Sequence, residues 1–186
     1  MLLRDVPYYE QKLHYTCGPA SLKMVLEYLG TEAHRDILRR IAESDEHVGT
    51  NYRGMIRAVR YHGHRCFVRK NASPRDMHYF LRMNLPVVIN WYIDAEKTGH
   101  FSVVVGLSKG YITINDPAHG PRVRMKLERF LEVWHDTTGR NRNWMMVVLP
   151  KRIRIKVPAG KIYKPRPIPS HKDRSADSMK GKRFIV

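Results

Sequence analysis

Cysteine is nearly absent: Cys17 and Cys66 are the two among 186 residues. Two are too few for a disulfide framework, which points to a reducing compartment, the cytoplasm, where a thiol stays free. Long apolar runs are missing as well. The start Met1-Leu-Leu-Arg-Asp-Val-Pro is too short for a secretory signal, and no stretch nears the ~20 apolar residues of a membrane helix. A stand-alone chain with no membrane span is expected. Metal-site spacing is lacking too. His62-Gly63-His64 puts two imidazoles on one strand face, but without an acidic partner nearby they read as a solvent-facing pair. No metal or other cofactor is expected, and the chain contains no internal repeat.

Acidic residues are the third scarcity. Seventeen Asp and Glu stand against 34 Lys and Arg, a net charge of +17, and the excess is uneven. From Lys151 to Val186, twelve Lys or Arg meet two Asp, for +10; the first 150 residues carry the remaining +7. This last stretch also holds Pro158, Pro165, Pro167 and Pro169, with few large apolar residues after Tyr163. It reads as an extended arm that cannot bury enough surface to fold alone. Its first part, Arg152–Val157, alternates polar and apolar residues and suits an edge strand. The boundary falls near Pro150, with a folded domain over 1–150 and a basic extension over 151–186. Lys and Arg contact phosphate without reading sequence, so RNA, DNA or an acidic protein surface is the partner this arm fits.

Between these limits the chain alternates regularly. Helical periodicity runs through Ser21–Leu29, Arg35–Ala42, Asn51–His62, Ser73–Met83 and Lys126–Trp134. Ser73-Pro74-Arg75-Asp76 carries a capping Ser, Pro in the first turn and an early acid. Runs rich in Val, Ile and aromatics predict strands over Arg65–Arg69, Pro86–Tyr92, His100–Leu107, Tyr111–Asn115 and Trp144–Leu149. Lys109-Gly110 makes a hairpin turn between two of them. Helices come first and strands later, which predicts a segregated α+β fold with a mainly antiparallel sheet and argues against βαβ repeats.

One thiol stands apart from this framework. A lone Cys in a helix is usually a small core residue, and Cys66, between Arg65 and Phe67 in a strand pattern, reads that way. Cys17 does not. It stands at the helix start, in the first turn, and lies outside the apolar stripe of Leu22, Val25, Leu26 and Leu29. Gly18-Pro19 follow it, leaving little bulk beside the sulfur, and Pro fits a first helical turn. The unsatisfied N–H groups and positive dipole end there favour a negative charge. Downstream stand Gly99-His100-Phe101-Ser102 and Ile114-Asn115-Asp116-Pro117. A Cys, a His and an Asp are the parts of a thiol nucleophile, its base and the orienter of that base.

The segment QKLHYTCGPASLKMVLEYLG, Gln11 to Gly30, resembles the active-site segment of the bacteriocin-processing, double-glycine-type cysteine peptidases. The stretch GHFSVVVGLSKGYITINDPAHG, Gly99 to Gly120, is similar to the same family's His and Asp segments in order and approximate spacing. The similarity covers roughly Asp5 to Pro150. It implies a papain-like fold and the removal of leader peptides after a Gly-Gly pair. It also implies that Gln11 is the oxyanion-hole side chain, Cys17 the nucleophile, His100 the general base and acid, and Asp116 the partner of His100.

The hairpin gives these roles a physical basis. His100 is nine residues before Lys109 and Asp116 six after Gly110, so antiparallel pairing brings both to one end, with a bulge or loop absorbing the mismatch. His14 and Tyr15 beside Cys17 either shape the substrate groove or pack. His119 and Asn115 near Asp116 stay unassigned, and Trp91, Trp134 and Trp144 read as core. Two function classes remain open: a cysteine peptidase acting on peptides, or a protein of peptidase-like fold whose basic extension docks on nucleic acid or an acidic partner.

Overall fold

Local capping decides where two of the helices begin. Ser73 and Asp76 form a reciprocal capping box, with Ser73 N donating to Asp76 Oδ2 at 2.8 Å and Asp76 N donating to Ser73 Oγ at 3.4 Å. Asn51 accepts from Gly54 N at 2.8 Å. In the computed structural model, which describes residues 1–151 and 156–165, the helices are α1 Cys17–Tyr28, α2 Arg35–Ala42, α3 Tyr52–Tyr61, α4 Pro74–Arg82 and α5 Leu127–Val133. Each lies where the periodicity predicts it.

The strands are β1 Arg65–Arg69, β2 Val87–Ile93, β3 Thr98–Ser108, β4 Tyr111–Asp116, β5 Gly120–Lys126, β6 Met145–Leu149 and β7 Lys161–Tyr163. They form one sheet in the order β5-β4-β3-β2-β6-β1-β7, and the pairings are antiparallel. This is the expected α+β class. Nearly every residue of β2 and every residue of β6 is buried. Successive side chains point to opposite faces, so both faces of the sheet centre are covered. Leu22, Val25 and Leu26 of α1 are fully buried, and α1 lies against β3.

Two strands escape the sequence pattern. β5 carries Arg122, Arg124 and Lys126 and has no fully buried residue, so it lacks an apolar face to betray it. Pro121 and the charges suit a sheet edge. β7 comes from the basic extension and pairs with β1 through Cys66↔Tyr163, Phe67↔Ile162 and Val68↔Lys161. The edge strand expected over Arg152–Val157 falls mostly on residues 152–155, outside the described residues, as does the arm from 166 onward.

A single irregularity in the β3–β4 hairpin sets which side chains face Asp116. From the turn, Ser108 pairs with Tyr111, Leu107 with Ile112 and Gly106 with Thr113; then the register shifts, and Val104 pairs with Ile114 and Val103 with Asn115. Val105 is the extra residue of a β-bulge. Its carbonyl accepts from Leu3 N at 2.7 Å, and Leu2 bridges to Gly106. One step on, Ser102 comes opposite Asp116. An unbroken ladder would place Val103 there and turn Asp116 to the other face of the sheet from His100.

The helical layer also has a tight contact. A Cβ at Gly54 would sit 2.1 Å from Ala42 O, where α2 meets α3. Backbone cannot swing aside as a side-chain tip can. Gly54→Ala should therefore cost about 3 kcal/mol, lowering the melting temperature by roughly 6–12 °C for a chain of this size. Thermal unfolding checks this, and a stability like that of the unaltered chain would mean the helices are free to separate.

Candidate active site

Cys17 is the first residue of α1 and is 6% exposed. Thr16 precedes it, and its hydroxyl donates to Leu13 O at 2.8 Å, which folds the approach loop back on itself. One turn further, Ser21 Oγ donates to Phe101 O at 3.1 Å. That bond fastens the start of the helix to β3 beside His100, because residues four apart share a helix face. Cys17 and His100 line one cavity of about 160 Å³, together with His14, Tyr15, Gly49, Thr50 and Gly99.

His100 Nε2 donates to Asp116 Oδ1 at 2.9 Å; an ionised carboxylate only accepts, so the hydrogen is on the ring. His100 is 3% exposed and Asp116 1%. Burial works against the charged imidazole, but hydrogen bonds to Asp116 and to Cys17 outweigh it and push His100 up to about 10. Burial likewise works against the Asp116 carboxylate. The hydrogen bond and charge of His100, with the Ala118 amide, outweigh it and hold Asp116 down to about 2.

Asp116 is held from several sides. The Ala118 and His119 amides donate to Oδ1 at 2.9 and 3.1 Å, and His119 Nδ1 donates to it at 3.1 Å. Ser102 Oγ donates to Oδ2 at 3.0 Å and accepts from Trp91 Nε1 at 2.9 Å. Sequence reasoning passed over Ser102; Trp91 lies in the core as expected, and its donation to Ser102 is what the sequence did not reveal. The signal was available in part, since the period of a strand puts Ser102 on the same face as His100. Asn115 has a scaffolding place: its Oδ1 accepts from Arg122 N at 3.0 Å and its Nδ2 donates to Val6 O at 3.4 Å.

Gln11 lies on the loop before Cys17, and its backbone N donates to Pro117 O at 3.0 Å. The loop is thus tied to the turn that carries Asp116. Gln11 Nε2 donates to His14 O at 3.2 Å, and its Oε1 is buried without a partner among the described residues. Gln11 stands outside the lining of the cavity that Cys17 and His100 share.

His100, Asp116 and His119 bring ligand-type atoms within 4.8 Å of one another. These atoms are engaged in the hydrogen bonds around Asp116. His64 corrects the solvent-facing expectation. It is buried, with Nε2 on Thr31 Oγ1 at 2.8 Å and Nδ1 on Leu149 O at 3.0 Å, a core histidine with both nitrogens satisfied. Cys66 is 0% exposed, and burial pushes its thiol up to about 12.

A helix-initial thiol, an imidazole and a buried carboxylate on a helix-plus-antiparallel-sheet fold define the class of cysteine peptidases. Residues 5–138 match the Peptidase C39 family, and the chain belongs to that family; it is a cysteine-type peptidase. It is 32% identical over 135 residues to an uncharacterised protein of Methanothermobacter marburgensis, covering 71% of this chain and 85% of that one. The peptidase domain of Streptococcus ComA, a bifunctional ABC transporter of a quorum-sensing pathway, superposes with a TM-score of 0.62. Its identity is 26%, over 78% of this chain and 98% of that one. A protein assigned as a C39-like peptidase from Bacillus anthracis shares the fold, with a TM-score of 0.64 at 16% identity over 80% and 96% of the two chains. No helix among the described residues is long and apolar enough to cross a membrane.

The two shifts give stability a defined pH dependence. His100 lies above its ordinary 6.5, so its contribution is full below that value and is lost as pH rises through about 10. Asp116 lies below its ordinary 3.8, so its contribution is present above that value and is lost as pH falls through about 2. Urea unfolding across pH should show both losses, and Asp116→Asn should be less stable at neutral pH and lose most of each slope. Matching pH profiles for variant and parent would mean the pair is not coupled in solution.

Proposed function

We propose that this chain hydrolyses peptide bonds with Cys17 as the nucleophile, His100 as base and acid, Asp116 as the orienter of His100, and Gln11 as oxyanion donor. The observation that carries the reading is the His100 imidazole held between two partners. Asp116 holds Nε2–H, and Cys17 is the second hydrogen-bond partner of the same imidazole, in the cavity the two share. An anionic carboxylate on one nitrogen leaves the other to exchange a proton with sulfur.

The Cys17 thiolate attacks the scissile carbonyl carbon, forming an S–C bond while the carbonyl electrons move to oxygen. The Cys17 N–H at the helix start donates to that oxyanion, and the Gln11 amide joins it by turning in from outside the cavity lining, each such donor contributing about 3 kcal/mol. Gln11 Nε2 has two hydrogens, and the bond to His14 O uses one of them. The tetrahedral species collapses with cleavage of the C–N bond as imidazolium His100 gives its proton to the leaving amine. Water then attacks the thioester, loses a proton to His100 and releases the acid with the thiolate restored. Free thiols at both cysteines suit a reducing compartment such as the cytoplasm.

Cleavage after small residues such as Gly-Gly is supported by two observations. The cavity beside Cys17 is small, with Gly49 and Gly99 in its walls. A double-glycine-motif protease from an AMS/PCAT transporter, solved with its leader peptide, has the same fold, with a TM-score of 0.57 at 24% identity over 78% of this chain.

A second role, docking on nucleic acid, is supported by the arginine face of α3. Arg53, Arg57 and Arg60 surround a groove of about 420 Å³ with Ile56 and Tyr163. Among the described residues only Arg57 of the three has an acidic partner, Glu43 at 2.7 Å. Double replacement Arg53→Gln with Arg60→Gln should weaken RNA binding and reduce the slope of log affinity against log salt by about 0.7–0.9 per lost phosphate contact. An unchanged slope removes this role.

The peptidase reading is tested with a Gly-Gly peptide. Cys17→Ala and His100→Ala should abolish turnover, Gln11→Ala should lower kcat by roughly 100-fold, and Asp116→Asn should leave a measurable remainder. At neutral pH an alkylating agent should label Cys17 and spare Cys66. The alkaline limb of kcat/KM should lie near the His100 value of about 10, well above an ordinary imidazole. Turnover by Cys17→Ala, or preferential labelling of Cys66, would sink the assignment.

A further inference from the structure

Asp116 divides its two oxygens between different tasks. Oδ1 takes His100 and the three donors of residues 118 and 119. Oδ2 has one donor among the described residues, Ser102 Oγ at 3.0 Å. Ser102 is 0% exposed on a strand otherwise lined with Phe101, Val103, Val104 and Val105. A hydroxyl there is costly unless it is paired on both sides, and it is. Trp91 Nε1 donates to it at 2.9 Å. An indole N–H can only donate, so it occupies a lone pair of the hydroxyl and leaves the hydroxyl hydrogen for the carboxylate. The direction of the chain from Trp91 through Ser102 to Asp116 is thereby fixed.

Trp91 has a second relation to the same place. It is the cross-strand partner of His100 in the β2–β3 ladder, and its ring meets the imidazole edge-on at 6.1 Å and 85°. One side chain therefore bounds the imidazole and, through Ser102, aims the carboxylate that holds it.

Building on the proposed roles of Cys17, His100 and Asp116, we infer that Ser102 and Trp91 are positioning residues of the peptidase. They hold the Asp116 carboxylate in the orientation that presents Oδ1 to His100. They act through Asp116 and touch no substrate. Without the Ser102 hydroxyl, Oδ2 is buried and unpaired, and the carboxylate is free to turn about its Cβ–Cγ bond toward other donors. Among the described residues, the ionisable groups facing His100 are Cys17 from α1, Asp116 from β4 and His119 from the turn after β4, with Glu96 beyond His119 at 3.6 Å, and His14, Tyr15, Glu46 and His47 across the shared cavity. Of these, the chain from Trp91 addresses Asp116 alone.

The test uses the full chain with two readouts: NMR titration of the His100 ring, which needs no turnover, and kinetics on a Gly-Gly peptide. Ser102→Ala should lower kcat about tenfold with KM unchanged, and should move the His100 midpoint to lower pH. Trp91→Phe keeps a ring against His100 but removes the donor, so it should shift both readouts in the same direction by a smaller amount. Combining the two should be no worse than Ser102→Ala alone, because the chain is already cut. The inference is overturned if Ser102→Ala keeps the parent's kcat and His100 midpoint, if the two losses multiply, or if the melting temperature alone falls. Should Ser102→Ala fail to fold, an unmoved His100 midpoint in Trp91→Phe overturns it equally. Retained turnover in Cys17→Ala would instead defeat the catalytic reading, and the NMR titration would still decide what holds Asp116.

Discussion

A carboxylate with almost no solvent contact has to be surrounded by donors, and Asp116 is the charge around which this molecule is arranged. Two backbone amides, two imidazoles and one hydroxyl converge on it. The donors come from β3 and from the turn at 118–119, and Trp91 of β2 backs the hydroxyl from the neighbouring strand. An unpaired buried carboxylate would cost several kcal/mol, so this convergence is a condition of folding as much as of chemistry. The same charge then keeps a proton on His100 against the burial that would remove it.

The convergence depends on register. Val105 bulges out of the β3–β4 ladder, and the shift of one residue turns Ser102 and His100 toward Asp116. The N-terminal segment supports that shift from outside: Leu3 N caps the Val105 carbonyl, and Gln11 N reaches Pro117 O on the far side of Asp116. One stretch of chain, residues 1–17, thus contacts the bulge and the carboxylate turn before it delivers Cys17 to the start of α1. Ser21 completes the link by holding Phe101 O. Helix, hairpin and leading segment are positioned together, and none of the three site residues is placed by its own element alone.

Much of this was legible in the order of residues. The start of α1 at Cys17 followed from Gly18-Pro19 and the stripe of Leu22, Val25 and Leu26. The capping box at Ser73 was readable because capping is a short-range interaction. The hairpin was readable from Lys109-Gly110, and unequal arms of nine and six residues announced that the ladder had to slip somewhere. Less visible was anything without an apolar face. β5 hides behind Arg122, Arg124 and Lys126, and β7 is three residues inside a basic extension. His64 looked like a solvent-facing histidine because its partners, Thr31 and Leu149, are distant in sequence.

By itself the sequence determined the class of fold, the family, and the residue types at Gln11, Cys17, His100 and Asp116, since these rest on local pattern and motif. Tertiary structure alone decided that the slip falls at Val105, that Ser102 and not Val103 faces Asp116, and that Trp91 reaches across from β2 to complete the set. The reason is the range of the interactions. Periodicity and caps act over a few neighbours, whereas a strand's register is fixed only when its partner, and the segment that closes its bulge, are in place.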